Sequence, residues 1–505
     1  MNLYTAYASH FPSDDAVLLT DPQGLVYTYG DAQRQSARYA QALSQLGLRA
    51  GDRVSVQVEK SPENLWLFLG CLRGGYVYHP LNTAYTDDEL MYFLTDAGTS
   101  LFVCDESRLA ELSSVCDSLG VPHAYSLNGD GSGTLARLAE RASVDFTPIE
   151  CEGEELAALV YSSGTTGRPK GIMLSHENLR VNAATLVDLW GFTAADQLLH
   201  ALPIFHVHGL FVAIGCVLMS GAGMRWLPRF DLENVFAELP HSTCMMGVPT
   251  FYTRLLADAR LDRNSVAHMR LFISGSAPLL ADTFEAFEER TGERILERYG
   301  MTETGMNTSN PLKGERKPGT VGLPLPGVAI RVCDAAGQPL PLGEVGELRV
   351  QGPNVFVGYW QMPDKTADDF TSDGYFRTGD QARIGDDGYV TIVGRAKDMV
   401  ISGGLNVYPK EVELVIDSLA EVIESAVIGL PDPDFGERVA AVVVAQPDAA
   451  LTLSDLKQSL SGQLAPFKLP KRLFLVDQLP RNAMGKVQKA ALRERFSDPL
   501  DHGKK

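Results

Sequence analysis

The segment Tyr161–Gly171, YSSGTTGRPKG, holds three glycines, four serine and threonine hydroxyls, an arginine and a lysine within eleven residues. Each type suits a polyphosphate. Glycine lets backbone N–H groups approach an anion, hydroxyls donate to phosphate oxygens, and the cations offset charge. Ser162, Ser163, Gly164, Thr165, Thr166, Gly167 and Lys170 form a candidate phosphate cradle. The spacing is not G-x-x-x-x-G-K-[ST], so this is not a P-loop of that kind. A Gly/Ser/Thr-rich surface turn has the same composition, and the segment alone leaves both readings open.

Four more segments follow: Tyr299–Thr304 (YGMTET), Arg377–Asp380 (RTGD), Gly394–Asp398 (GRAKD) and Pro480–Lys486 (PRNAMGK). A Thr-Glu pair offers a hydroxyl for phosphate and a carboxylate for a hard cation. The carboxylate of Asp380 can accept from two hydroxyls at once. Taken singly, each has an ordinary reading: a helix-capping Glu, a turn Gly-Asp, a solvated Gly-Lys. His206 and His208 form an H-x-H pair, but no third ligand stands nearby at zinc spacing, and a packed or gating histidine is the better reading.

Together, in this order and over essentially the whole chain, the five segments resemble the adenylate-forming superfamily of acyl-CoA synthetases, luciferases and peptide-synthetase adenylation domains. The resemblance implies ATP and CoA as co-substrates with Mg²⁺. It implies that Lys486 bridges the acid carboxylate and the α-phosphate, that Thr302 bonds the α-phosphate, and that Glu303 ligates the metal. It places Gly275, Ser276, Ala277, Tyr299 and the adjacent Gly300 around adenine, Asp380 on the ribose hydroxyls, and Arg395 on the nucleotide. His206 corresponds to the gate between acyl and pantetheine pockets, Ser402-Gly403-Gly404 to the CoA passage, and Lys397 to a hinge. It further implies a large N-terminal domain, residues 1–396, with a small mobile C-terminal domain, 397–505. An acyltransferase and deacylase acting on Lys486 is a further implied partnership, since acylation removes the charge.

The acid is the least legible reactant. Peptide-synthetase adenylation domains carry an aspartate for the substrate amine; the equivalent stretch here is Phe205-His206-Val207-His208. Segments LNTAYT, PIFHVHGL, GVPTFYTRLL, HMRLFISGSAPLL and MNTSNP are similar to malonate-activating members of the superfamily. A second carboxylate calls for a cation, and a planar guanidinium can take it bidentately. Arg254 is the first candidate, with Arg298, Arg270 and the Ser276 hydroxyl behind it. From spacing alone, Arg254 on an amphipathic helix is equally a surface arginine. Methylmalonate, another small carboxylic or aryl acid, and a silent nucleotide-binding paralogue remain open.

Composition bounds the rest. The chain has 505 residues and a net charge of −19, which argues against a nucleic-acid partner. Seven dispersed cysteines without a C-x-x-C pair read as reduced thiols of a cytoplasmic protein. No basic-then-apolar leader is visible, and the longest apolar run, Leu210–Met219, is too short to span a bilayer and reads as a buried helix.

The elements that must hold these residues alternate in period. RVSVQV (53–58), SLFVCD (100–105), LAALVYSS (156–163) and MRLFISG (269–275) read as buried strands. Helical patterns run over 31–47 and 281–292 between them. The expected class is α/β, with layered, mainly parallel sheets. From about 320 to 394, short alternating strands between Gly/Pro turns predict a β-rich subdomain. A mobile α+β unit follows, with strands at 421–430 and 438–446, a helix at 454–464, and a further helix opening at Pro409.

Overall fold

Six short hydrophobic strands pair in parallel: Ile295–Met301, Leu271–Ser274, Cys244–Gly247, Gln197–His200, Gly223–Trp226 and Val17–Thr20. Antiparallel strands Gly305–Ser309 and Leu323–Pro324 extend one edge, and Val26–Thr28 the other, making nine strands. These are features of a computed structural model that describes residues 1–161, 169–402, 405–432, 436–447, 449–461, 463–464, 466–482 and 485–497. The Ser162–Gly167 portion of the phosphate cradle, and Gly403 and Gly404, lie outside the described residues.

A second, seven-stranded sheet runs Gly358–Tyr359, Gly171–Ser175, Leu156–Tyr161, Val77–Pro80, Arg53–Gln57, Leu101–Cys104 and His123–Ser126. The helix Pro62–Arg73 shows how the two sheets share one core. Proline occupies its first turn, and the Ser61 hydroxyl caps it by accepting from Asn64 N–H. Asn64 through Leu72 are all buried. A helix apolar on every side must be covered on every side, and this one packs in a core that includes Leu19 and Leu198 of the first sheet and Val54 and Ala158 of the second.

The expected helix over 31–47 is Tyr29–Gln45, opened by a reciprocal Thr28–Asp31 capping box. The apolar run at 210–219 is not one regular helix. A π-helical turn, His208–Ala213, leads into the α-helix Ile214–Ser220. Gly209 lies so close to Pro203 that a Cβ would stand 2.0 Å from its carbonyl oxygen.

The β-rich region is a four-stranded antiparallel sheet of Ala329–Cys333, Gly346–Gln351, Phe376–Ile384 and Val390–Arg395. A single 3-10 turn, Ala396–Asp398, separates it from the last sheet. That sheet draws its five strands from Val400 onward and carries buried clusters on both faces, the one under helices Pro409–Asp417 and Leu453–Leu460, the other under Lys489–Phe496. No described helix is long and apolar enough to cross a membrane.

One ion pair ties the first sheet together. Arg270 donates to both carboxylate oxygens of Asp196, at 2.7 and 2.8 Å, and to the carbonyls of Trp190 and Gly191 at the end of a helix. Burial alone would raise the Asp196 pKa, but the Arg270 and Thr243 hydrogen bonds hold it below the ordinary carboxylate value. Asp196→Asn should therefore cost about 2 kcal/mol at neutral pH, the scale of a lost charge-assisted pair. A carboxyl depressed in the folded state stabilises above its unfolded pKa and stops doing so as pH falls through its folded value. The gap between wild type and variant in urea unfolding should close below about pH 4. A gap that stays constant down to pH 3 would contradict this.

Candidate active site

The carboxyl ends of the parallel strands are where a ligand can meet several backbones at once. Cys244–Gly247, Leu271–Ser274 and Ile295–Met301 end side by side, and Gly275 N–H bonds the Gly247 carbonyl at 3.2 Å. Ser276 follows in the left-handed region, φ +70°, a conformation a serine adopts only when its surroundings hold it there. Its hydroxyl sits 3.2 Å from His208 Nδ1. His206 Nδ1 in turn accepts from the His208 backbone N–H at 3.3 Å.

Arg298 lies beneath this turn and is 3% exposed. A Cβ on Gly275 would fall 2.3 Å from the Arg298 guanidinium carbon, so the position admits only glycine while Arg298 stays where it is. Successive strand residues face opposite sides, so the adjacent Glu297 gives Arg298 no counter-charge; it accepts from Leu279 N–H instead. Arg298 Nε and Nη2 are buried and have no hydrogen-bond partner among the described residues, and neither has His208 Nε2. Burial pulls the Arg298 pKa down to about 10. Buried donors of this kind need a reason, and their arrangement suits an anionic acceptor.

A second cluster adjoins the first. Asp380, on the strand Phe376–Ile384, is 3% exposed. It accepts from the Tyr299 hydroxyl at 2.5 Å and from Arg395 Nε at 2.6 Å. The cross-strand pair Asp380–Arg395 fixes that contact by register. Glu303 is buried, and burial raises its pKa despite the nearby charges of Arg395 and Lys170. The Lys170 amine also sits 4.3 Å from the centre of the Tyr359 ring. Gly300 packs so closely that a Cβ would meet the Gly305 carbonyl oxygen at 2.1 Å. Thr302 lines a small enclosed cavity with Asn178, Asn182 and Asn354.

Lys486 and Lys397 come into this field from the C-terminal side. Lys486 keeps solvent contact, but the surrounding protein and Arg395 lower its ammonium pKa. Burial and Arg395 lower Lys397 to about 8, with Lys486 adding to the effect. Burial, followed by the charges of Arg298 and Lys486, pulls His206 down to about 4. His206, Arg298, Lys486, Arg395 and Asp380 are thus one electrostatic neighbourhood.

Two other cations expected at the acid site have different surroundings from Arg298. Arg254 is exposed on the helix Pro249–Ala257, whose buried face carries Tyr252 and Leu255. Tyr252 of that helix lies near Arg298, and its hydroxyl bonds the Ile273 carbonyl at 2.6 Å. Arg270 is committed to Asp196. Ser402 is buried at the end of the strand Val400–Ser402, paired with Leu405 and Gly436.

A supporting network went unread in the sequence. Lys60 is buried, with its amine bonded to His200 Nδ1, the His200 carbonyl and the Leu227 carbonyl at 2.7, 2.8 and 2.7 Å. Burial pushes both Lys60 and His200 toward their neutral forms, and the Gly209 carbonyl, which can only accept, assigns the ring proton and leaves Nδ1 to accept from Lys60. The proton then sits on His200 Nε2 and is donated to the Gly209 carbonyl at 3.0 Å. The pair thereby fixes the π-helical turn that carries His208. EKSPEN reads simply as a helix start; only the burial of Lys60 sets it apart.

Residues 5–360 match the model of the AMP-binding enzyme family, and residues 411–486 match that family's C-terminal domain. The chain belongs to the AMP-binding enzymes. Among its relatives is the mouse mitochondrial malonate–CoA ligase ACSF3, 37% identical, covering 95% of this chain and 88% of the relative. The crystal structure of ATP-bound MatB from Rhodopseudomonas palustris is 50% identical, covers 98% of this chain and 99% of its own, and superposes with a TM-score of 0.97. Apo MatB, equally identical over the same coverage, superposes with a TM-score of 0.86. This AMP-binding enzyme therefore shares the arrangement of the ATP-bound form more fully than that of the apo form.

The field at His206 can be measured. In ligand-free enzyme with labelled histidine, His206 should titrate at about pH 4. In Lys486→Ala its midpoint should rise toward the ordinary value, because a neighbouring cation disfavours the imidazolium. An unchanged midpoint would remove Lys486 from the cluster.

Proposed function

We propose that this protein is an AMP-forming malonate–CoA ligase. The observation that carries the reading is the buried Arg298 guanidinium with two unpartnered nitrogens. An uncompensated buried cation costs several kcal/mol, and a fatty acyl tail would leave that cost standing. The distal carboxylate of a short dicarboxylate removes it by accepting from the guanidinium, with the Ser276 hydroxyl and His208 beside it. Arg298 thus replaces Arg254 as the acid-recognition residue. The similarity to malonate–CoA ligases supports the same acid.

The reaction follows from the charges. A carboxylate must approach the α-phosphorus of ATP although both are anions. Arg298 anchors the far carboxylate and leaves the near one free. Lys486 screens the near carboxylate and the α-phosphate. A carboxylate oxygen attacks phosphorus, a C–O–P link forms, and pyrophosphate leaves with the electrons of the broken P–O bond. Tyr299 offers its ring to adenine, Asp380 accepts from the ribose, and Thr302 bonds the α-phosphate. The CoA thiolate then attacks the acyl carbon and AMP departs.

Glu303 fits a Mg²⁺ held mainly by phosphate oxygens: its carboxylate is single and buried, and no cluster of three or more protein ligands occurs among the described residues. When bound, Mg²⁺ would neutralise phosphate charge. We assign the domain boundary to the turn Ala396–Asp398, with Lys397 as hinge, and CoA entry to the rotated state in which Ser402 and the following glycines approach the acyl-adenylate.

Two experiments test this. Pyrophosphate release from malonate should fall at least about 100-fold in kcat/KM in Arg298→Gln, on the scale of two charge-assisted hydrogen bonds, while propionate is affected far less. Equal losses for both acids would remove Arg298 from acid recognition, and no release with any acid would defeat the ligase reading. Separately, Lys486→Ala should abolish adenylate formation yet still turn over supplied malonyl-adenylate with CoA. Lys397→Pro should do the reverse, because proline freezes φ at the hinge. Parallel losses in both half-reactions would contradict the two roles.

A further inference from the structure

Three arginines oppose one another directly across the four-stranded sheet. Arg331 is the register partner of Arg349, and Arg349 that of Arg377. Directly opposed residues of adjacent strands sit close on one face, where like charges repel. Two carboxylates stand among them. Glu347 accepts from Arg349 at 2.8 Å and from Arg377 at 3.2 Å through the same oxygen, and Asp373 accepts from Arg331 at 2.8 Å. Three guanidiniums against two carboxylates leave one positive charge in a chain of net −19.

The network leaves one charge and one donor unmatched. Arg331 Nε is buried without a hydrogen-bond partner among the described residues, and Arg349 is 3% exposed, so it cannot swing into water to relieve the repulsion. A cleft of about 510 Å³ opens over the set, lined by Arg331, Gly337, Arg349, Thr371, Asp373 and Arg377. Gly337, at φ +84°, packs against the buried Arg349 guanidinium; a Cβ there would stand 3.2 Å from its Nη1.

We propose that this cleft binds a phosphate-bearing anion, whose oxygens match the planar fork of guanidinium donors. The chemistry is shared by the 3′-phosphate of CoA and by free inorganic pyrophosphate, and the two sources can be separated. The site goes beyond the ligase reading and uses none of the residues assigned to acid or ATP.

The test is calorimetric titration of the full-length protein at fixed ionic strength with CoA, dephospho-CoA and inorganic pyrophosphate. Wild type is compared with Arg331→Gln and Asp373→Asn. Removing a guanidinium should weaken the bound anion about tenfold; removing the competing carboxylate should tighten it severalfold. Opposite signs are what an anion site gives and a purely structural role does not. Changes confined to CoA, with dephospho-CoA unmoved, identify the 3′-phosphate. Changes in pyrophosphate, with both CoA forms unmoved, identify the free anion. Titrations unaffected by either variant, or weakened equally by both, overturn the proposal. Because binding is read directly, this result stands apart from whether malonate is activated.

Discussion

A guanidinium shut away from water without a carboxylate is the constraint around which the first site is built. Arg298 holds its place because the neighbouring elements leave it room. Gly275 supplies no Cβ, Ser276 accepts a left-handed backbone, and Glu297 is turned to the opposite face by the alternation of the strand. Such a charge cannot be a stabilising element by itself, since its desolvation has no matching partner. Its cost is carried by the core packed behind it, including Tyr252 and Cys216, both buried. The large shared core of the two sheets is what makes an uncompensated charge at its rim tolerable.

The same arrangement sets the protonation states around it. His206 and His208 stay neutral because burial and the adjacent Arg298 both disfavour a second positive charge. Neutral imidazoles can then serve as hydrogen-bonding walls. Behind them, Lys60 and His200 fix one ring tautomer and the π-helical turn in a single network. Turns of this type recur where a side chain must be displaced from the regular helical position. Here the displaced segment presents His208 to Ser276.

Much of this architecture was legible in the sequence. The strands at 53–57, 101–104 and 271–274 follow their apolar runs to within a residue or two, and the helix Tyr29–Gln45 begins where Thr28 and Asp31 form its cap. The motif residues Tyr299, Asp380, Arg395 and Lys486 are separated by up to 187 positions in the chain (486 − 299), yet they do meet. What could not be read was the direction of individual side chains. Arg254 and Tyr252 share a helix two residues apart, about 200° around its axis, and only the packed structure decides which one faces the strand ends. Arg270 precedes one strand and Arg298 lies within another, yet Asp196 claims the first and, among the described residues, no carboxylate pairs with the second. Lys60 and the arginine row at 331, 349 and 377 depend on burial and register, which motif spacing does not contain.

The cationic neighbourhood of Arg395, Lys397 and Lys486 carries a consequence for the order of events. Each lysine is pushed toward its neutral form by burial first and then by Arg395, and Lys397 also feels Lys486. Asp380 and Asp398 offset only part of that repulsion. A triphosphate would make the same crowding favourable, because each cation then gains an anion at close range. Release of pyrophosphate would take most of that anionic charge away while the lysines remain. The electrostatic reason for the C-terminal unit to stay against the strand ends is therefore strongest before the first chemical step and weakest after it. For the hinge proposed at the turn Ala396–Asp398, the loss of the phosphate charge would supply the bias toward motion.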